Sequence, residues 1–238
     1  RLAQIRTPIT DGAHDEPWVF RPKDLTGWWS NPHHDRPGGV RAAEPTGWTP
    51  GMKPIRLVEF GCAAIDRGAN APNLFQDAKS AESALPPFST GARDDLGQRR
   101  ALEAVLGHFA QPQNNPVSAV YGGPMVEGLD AWTWDARPYP AFPARGDLWS
   151  DAPAWERGHW LNGRAGAVAL ADVVRDICAG SGLGPVDAGG LYGVVRGYAV
   201  QGAETGRAAL QPLMLAHGFD AVERDGVLRF VMRDGRAA

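Results

Sequence analysis

The stretch that decides the fold covers residues 53–62 and reads Lys53-Pro54-Ile55-Arg56-Leu57-Val58-Glu59-Phe60-Gly61-Cys62. Its length and its β-branched and aromatic content are typical of a strand that is buried on both faces, as in a parallel sheet. A carboxylate is not stable unpaired in an apolar layer, so we expect Glu59 to emerge at the carboxyl end of this strand, where α/β folds carry their chemistry. Glu59 is therefore the first candidate functional residue. The alternative is a structural glutamate bonded to a neighbouring Arg or Trp.

The residues that follow predict the rest of a βαβ unit. A long polar loop leads to a helix from about Asp95 to His108, whose apolar side chains recur at i, i+3 and i+4, with Asp94 or Asp95 as the cap. A second strand is predicted over residues 129–135 and, like the first, ends on a carboxylate. Strand, loop, helix and strand in this order indicate a parallel α/β sheet. Trp132 and Trp134 share one side of the second strand, where indole rings either stack on sugars or pack against the protein.

Residues 1–53 form a long loop with closely spaced turn signals, apart from one short helical turn over residues 24–29. A loop of this length in a compact protein is more often functional than idle. The pair Trp28-Trp29 is its most conspicuous aromatic cluster. His33 and His34 are adjacent, so they point in different directions, and no third ligand lies at a diagnostic spacing. We therefore predict a solvated loop here and no metal site.

Composition narrows the classes of function. Lys and Arg number 24 against 27 for Asp and Glu, and no basic patch is visible, so sequence-specific binding of nucleic acid is disfavoured. No apolar run approaches the roughly 20 residues of a membrane span. Cys62 and Cys178 form neither a disulfide framework nor a metal box, and no cofactor motif is present. The chain begins without Met, and we interpret it as a piece of a longer protein.

From Val168 onward the pattern changes to short, regular elements. We predict a helix over residues 170–178, a strand over 194–200, a helix from about Thr205 to His217 and a terminal hairpin. Asp225-Gly226 between two alternating runs is the strongest short-range hairpin signal. This part is predicted to be a small α+β module without candidate catalytic residues.

Several longer motifs resemble the tail hub protein of gene transfer agents and related phage tails. In the first 165 residues they are Arg6-Thr7-Pro8-Ile9-Thr10-Asp11-Gly12-Ala13, Pro17-Trp18-Val19-Phe20, Trp28-Trp29-Ser30-Asn31-Pro32-His33, residues 53–62, Gly68-Ala69-Asn70, Trp134-Asp135-Ala136-Arg137-Pro138 and Gly158-His159-Trp160-Leu161. In that family a glycoside-hydrolase-like TIM-barrel domain precedes a phage-tail hub domain. The resemblance to the hub domain covers about residues 168–238 and rests on residues 170–174, residues 204–207 and the terminal hairpin.

The resemblance implies an α/β protein of two domains. Residues 1–165 would be the C-terminal portion of a glycosidase-like (β/α)8 TIM barrel, and residues 166–238 a small α+β hub module that continues beyond the chain end. Glu59 would end the seventh strand, where related retaining glycosidases carry their nucleophile, and residues 129–134 would form the eighth. A full barrel needs about 250 residues, so the earlier strands, and the acid/base glutamate on one of them, would lie upstream of Arg1.

Two compatible functions follow from this resemblance. The first is a structural hub in the tail-tip baseplate of a virion, with other tail and baseplate proteins as partners, a homotrimeric state and a role in envelope penetration and DNA delivery. The alternative is a retaining glycosidase that cleaves peptidoglycan or capsular polysaccharide with Glu59 as nucleophile. A stand-alone carbohydrate-binding module would explain the aromatic residues but not Glu59. The candidate substrate-binding residues are Trp28, Trp29, Asn70, Trp132 and Trp134.

Overall fold

The computed structural model describes residues 7–77, 79–164 and 166–235. In this part the chain is a mixed α/β protein whose strands form three two-stranded sheets. The strands are β1 (Ile55–Phe60), β2 (Val126–Ala131), β3 (Val168–Ala169), β4 (Val194–Val195), β5 (Phe219–Arg224) and β6 (Val227–Met232). The helices are α1 (Leu25–Ser30), α2 (Asp95–Phe109), α3 (Ala141–Ala144), α4 (Leu170–Gly180) and α5 (Gly206–His217).

The contacts divide the chain into two compact units. The first unit takes the described residues of Arg1–Phe60 and Glu103–Ala131, and the second takes those of Gly61–Leu102 and Trp132–Ala238. Neither unit is continuous in sequence. The predicted boundary between residues 165 and 166 separates two family domains and is a different kind of division from these two contact-based units. It stays a proposal.

The first unit is built on the pairing of β1 with β2. The two strands are parallel, with Leu57 opposite Leu129 and Phe60 opposite Ala131. This pairing confirms the predicted βαβ order, because α2 lies between the strands in sequence. The core of the unit consists of Trp29, Met125 and Val126, with Leu25, Trp48, Ile55, Phe109 and Leu129 packed against it.

β1 lies within the predicted stretch 53–62 but does not have the predicted burial. Ile55 and Leu57 are half-buried, whereas Val58 is 65% exposed and Glu59 is exposed. In the described part of the chain β1 pairs with β2, and its Ile55 packs against the core of the first unit. Burial on both faces is thus not observed, because the described residues place no second layer over the face that carries Val58.

β2 begins and ends earlier than predicted. The prediction was residues 129–135, and the observed strand is Val126–Ala131. It ends opposite Phe60, the last residue of β1. Beyond that point the backbone pairs elsewhere: the amide of Thr133 donates to the carbonyl of His159 at 3.1 Å, and the carbonyl of Thr133 accepts from Leu161 at 2.9 Å. Trp132 and Trp134 therefore lie after the strand and not within it.

The predicted helices of the N-terminal part are confirmed, and so is the predicted cap of α2. Asp24 caps α1 by accepting a hydrogen bond from the amide of Gly27 at 2.9 Å. Asp94 accepts from the amide of Gly97 at 2.7 Å and so caps α2. The buried side chains of α2 are the polar residues Asp95 and Gln98. Neither burial was predicted.

The C-terminal part of the second unit is the predicted α+β arrangement. Among the described residues its core contains ten buried side chains, with Phe219 and Phe230 in edge-to-face contact at 6.0 Å between ring centroids. Thr205 caps α5, and Gly218 ends it with φ of 67°. Asp225 and Gly226 have φ of 56° and 72°, as a type I′ hairpin turn requires. The predicted strand over residues 194–200 is reduced to Val194–Val195, which pairs with β3.

Candidate functional site

Glu59 is the penultimate residue of β1, and its side chain is exposed. It lies in an irregular part of the pairing, since the register shifts between Leu57 and Phe60. Among the described residues, no side chain or backbone group makes a hydrogen bond or ion pair with its carboxylate. The nearby cation Arg56 instead binds Asp130, at 2.8 and 3.0 Å. The alternative expectation, a glutamate bonded to Arg or Trp, is therefore not what the structure has. Within the described residues, Glu59 is a free carboxylate near the carboxyl end of a parallel strand.

In the second unit, the chain that follows β1 is held by a buried glutamine. Cys62, Ala63, Ala64 and Ile65 are at most 2% exposed. The Nε2 group of Gln98, itself 2% exposed, donates to the carbonyls of Cys62 at 3.0 Å and His159 at 3.1 Å. A sequence signal for this role exists, because position 98 falls on the predicted apolar face of the helix, where a glutamine needs partners.

The aromatic candidates after β2 are accessible. Trp132 is 46% exposed and Trp134 is 70% exposed, so both indole rings have surface available for a ligand. Asn70 is also exposed, but its Nδ2 group donates to the carbonyl of Pro87 at 2.9 Å and thereby supports the loop. These three candidates lie in the second unit.

Trp28 and Trp29 have different roles in the structure. Trp29 is 4% exposed, belongs to the core of the first unit and donates its indole N–H to the carbonyl of Lys53 at 2.7 Å. Its ring has no free face for a sugar, and we leave it out of the binding surfaces proposed below. Trp28 is 44% exposed and borders a cavity of about 740 Å³ in the first unit.

The adjacent histidines of the N-terminal loop each use one ring nitrogen for the backbone. Nε2 of His33 lies 2.7 Å from the carbonyl of Trp28, and Nδ1 of His34 lies 3.0 Å from the carbonyl of Ala42. Within the residues that the structure describes, no group of three or more His, Cys, Asp or Glu side chains could hold a metal ion.

Asp135, the carboxylate on which the predicted second strand ends, is engaged in an ion-pair network. Arg137 binds it through two nitrogens at 2.6 to 3.0 Å and also binds Asp151 at 2.8 Å, and the indole N–H of Trp160 donates to it at 2.9 Å. The hydrogen bonds from Arg137 lower the pKa of Asp135 to about 2. A general acid needs a raised pKa, so Asp135 is suited to holding its loop and not to donating a proton.

The parallel pairing of β1 with β2 and the free carboxylate of Glu59 define a mixed α/β protein with a candidate site near the carboxyl end of a parallel strand. Residues 1–143 match the family described as GTA TIM-barrel-like domain, and the chain belongs to this family. Residues 205–238 match a second family, described as putative phage tail protein. Together the matches support a tail component of a gene transfer agent (GTA) virion.

Among solved structures, the chain is similar to part of the "Virion of native gene transfer agent (GTA) particle", with 47% sequence identity and a TM-score of 0.34. The matched region covers 46% of this chain and 27% of that one. No curated protein matches. In the described part of the chain, none of the helices combines the length and the apolar character needed to cross a membrane.

Proposed function

We propose that the chain is part of the tail-tip hub of a gene transfer agent virion. In this proposal residues 1–165 are the C-terminal portion of a glycosidase-like (β/α)8 barrel, and residues 166–238 are the hub module. The observation that carries it is the presence, in one chain, of a match to the GTA TIM-barrel-like domain and a match to a phage tail protein. Other tail and baseplate proteins are its partners, and a homotrimer is the proposed assembly.

Labelled virions test this position. A small peptide tag inserted at the exposed turn between β5 and β6 (Asp225-Gly226) leaves the hairpin strands intact, because turn tips tolerate insertions. We expect gold-labelled antibody to mark one end of the tail in electron micrographs of purified particles. The same tag in a capsid protein serves as the control. Labelling along the tail shaft, on the head, or not at all on tagged particles would refute the tail-tip assignment.

Glu59 supports a second function, cleavage of an envelope polysaccharide by a retaining glycosidase. In such an enzyme an ionised carboxylate attacks the anomeric carbon and the glycosidic oxygen leaves with a proton from the acid/base residue. Water then hydrolyses the glycosyl-enzyme bond. Glu59 fits the nucleophile because its carboxylate is exposed and has no partner among the described residues. Trp132 and Trp134, in the second unit, stay proposed sugar-binding residues because their rings are exposed. In this proposal the acid/base residue belongs to an earlier strand of the barrel.

Glu59→Gln in the complete tail protein is expected to reduce sugar release from purified cell wall by roughly 10³-fold or more, since the amide cannot form the covalent intermediate. Reducing ends released per particle are the measurement. Glu127→Gln is the matched control, because Glu127 is also an exposed glutamate on the β1–β2 sheet. Particles of both variants should assemble normally. Sugar release by Glu59→Gln at the rate of the parent would remove Glu59 from the mechanism.

A further inference from the structure

The cavity in the first unit has the size of a ligand site and is separate from Glu59. Its volume is about 740 Å³, within the roughly 300 to 1,000 Å³ typical of small-molecule sites. It is bordered by α1, by the 3₁₀ turn Pro17–Phe20 and by residues 32–36. Glu59 does not line it. The cavity therefore provides a place for a ligand without any part in the proposed hydrolysis.

One wall of the cavity is the ring of Trp28, which neighbouring aromatic rings hold in place. The ring of Trp28 lies 4.6 Å from that of His33 and 4.9 Å from that of Trp48, and the His33 and Trp48 rings are parallel at 5.0 Å. Nε2 of His33 donates to the carbonyl of Trp28, which holds the stack to the backbone. Trp28 still exposes 44% of its surface. A held aromatic side chain binds a ligand with little loss of side-chain entropy.

The polar groups around this surface offer both donors and acceptors. Glu16 is 6% exposed and is fully engaged by Arg41, at 2.9 to 3.1 Å, and by Arg36. Its role is to hold Arg36, whose Nε is buried and has no partner among the described residues. Nδ1 of His34 donates to the carbonyl of Ala42, and in the neutral imidazole Nε2 is then an acceptor. The exposed Asp35 carboxylate has no side-chain partner in the described part of the chain. Hydroxyl groups, which donate and accept, match this mixture.

The charges of the cavity argue against an anionic ligand. Arg21 lies 3.5 Å from Asp24, Glu16 is shared by Arg36 and Arg41, and Asp35 is the third carboxylate of the group. Three arginines and three carboxylates therefore balance at this cavity. A carboxylated or phosphorylated ligand would add an uncompensated negative charge beside Asp35. A neutral ligand with hydroxyl groups and one apolar face fits both the aromatic wall and the polar groups.

We propose that this cavity binds a neutral saccharide unit, with the apolar face of the sugar on Trp28 and its hydroxyl groups on Arg36, His34 and Asp35. This proposal rests on the proposed contact of the tail with an envelope polysaccharide, and it adds a binding site for that polysaccharide. Binding in this cavity does not require that Glu59 act as a nucleophile. The site would hold a polysaccharide while other parts of the tail act on the envelope.

Calorimetric titration of the 238-residue chain tests the proposal with three probes: tetra-N-acetylchitotetraose, cellotetraose and tetragalacturonate. We expect one of the two neutral probes to bind, and tetragalacturonate to bind more weakly or not at all. Trp28→Ala should weaken binding about 30-fold, as loss of a central aromatic contact does. Asp35→Ala, which disturbs no described packing, should weaken it about 5-fold. Tyr192→Ala, an exposed aromatic residue of the second unit, is the control and should not change it.

The outcomes separate this proposal from the hydrolytic one. Glu59→Gln should retain binding in the cavity whether or not it releases sugar. Unchanged sugar release by this variant would refute Glu59 as the nucleophile, and loss of binding would refute the cavity as the saccharide site. Absence of binding of both neutral probes at about 10 mM, well above a Kd of roughly 1 mM, would overturn the saccharide site. So would tighter binding of tetragalacturonate. Loss of binding in Trp134→Ala, with parental affinity in Asp35→Ala, would refute the cavity as the site and indicate that the sugar binds at the surface after β2.

Discussion

Arg164→Ala is expected to lower the free energy of unfolding by about 3 kcal/mol, the largest change we predict for a single side chain of the second unit. The Arg164 side chain is completely buried, and its guanidinium donates to the carbonyls of Trp155 and, at 3.2 Å, Glu156. It also lies 3.4 Å from Asp95 and 4.1 Å from the centre of the Trp155 ring. Truncation leaves these buried acceptors without a donor and opens a cavity beside the indole.

The unfavourable part of the Arg164 site is desolvation, which lowers the pKa of its guanidinium to about 10. Asp95 and the carbonyl acceptors offset this cost only while all of them are in place. Arg164→Lys keeps the charge but loses the fork geometry, so it should recover less than half of the lost stability. A loss of about 3 kcal/mol corresponds to a fall in Tm of about 10 °C in a chain of this size.

Arg196→Ala is the matched control for this prediction. Arg196 lies 3.7 Å from the same Asp95 carboxylate, but its side chain is 71% exposed. Exposed ion pairs contribute at most about 1 kcal/mol, so its removal should change Tm by no more than about 3 °C. Thermal unfolding followed by far-ultraviolet circular dichroism measures both variants. If Arg164→Ala and Arg196→Ala unfolded at the same temperature, burial of Arg164 would have no special role in stability.

The sequence predicted the elements that local signals define. The cap Asp94, the helix from about Thr205 to His217 and the turn Asp225-Gly226 each depend on signals within a few residues, and the structure has all of them. β1 was also predicted within the stretch 53–62, because an apolar run between Pro54 and Gly61 has clear limits. The match between prediction and structure is therefore closest where the interaction that forms the element is short in sequence.

The errors of prediction occur where residues distant in sequence determine the ends of a strand. The end of β2 is set by the end of β1 and by the bonds of Thr133 to residues 159 and 161, which no local pattern reveals. Gly128 within the strand further hid its start from a prediction based on alternation. The strand predicted over residues 194–200 is too long for the same reason, since only Val194 and Val195 find a partner in β3.

The candidate site was predictable only in part, again because residues far apart in sequence determine which side chains are buried. The position of Glu59 followed from a strand that ends on a carboxylate. The different exposure of Trp28 and Trp29 could not be predicted, because the sequence does not show which of two adjacent tryptophans faces the core. Gln98 and Arg164 depend on backbone carbonyls that lie 36 and 9 residues away in sequence, respectively. Burial of a polar side chain becomes visible only when its partners are known.

Asp135→Asn is expected to destabilise the protein by about 2 kcal/mol at neutral pH. Arg137 holds the carboxylate through its guanidinium and stacks 3.6 Å from the centre of the Phe142 ring, so the ion pair lies against the aromatic core of the second unit. The folded state lowers the pKa of Asp135 from 3.8 to about 2. Since one pKa unit is worth about 1.4 kcal/mol, this lowering corresponds to about 2 kcal/mol of stability above pH 4.

The sign of the shift fixes the pH dependence. Because the folded-state pKa is lowered, the contribution of Asp135 is complete above its unfolded pKa near 3.8 and is lost as pH falls through about 2. Asp135→Asn should therefore be less stable than the parent at pH 6 and approach it near pH 2.

Asp147→Asn is the matched control, because Asp147 also binds an arginine two residues away, at 2.6 and 2.7 Å, but is 61% exposed. Urea unfolding at pH 6, 4 and 2.5 should show a converging difference for Asp135→Asn and almost none for Asp147→Asn. A difference that stayed constant with pH would mean that Asp135 stabilises the fold through its shape and hydrogen bonds and not through its charge.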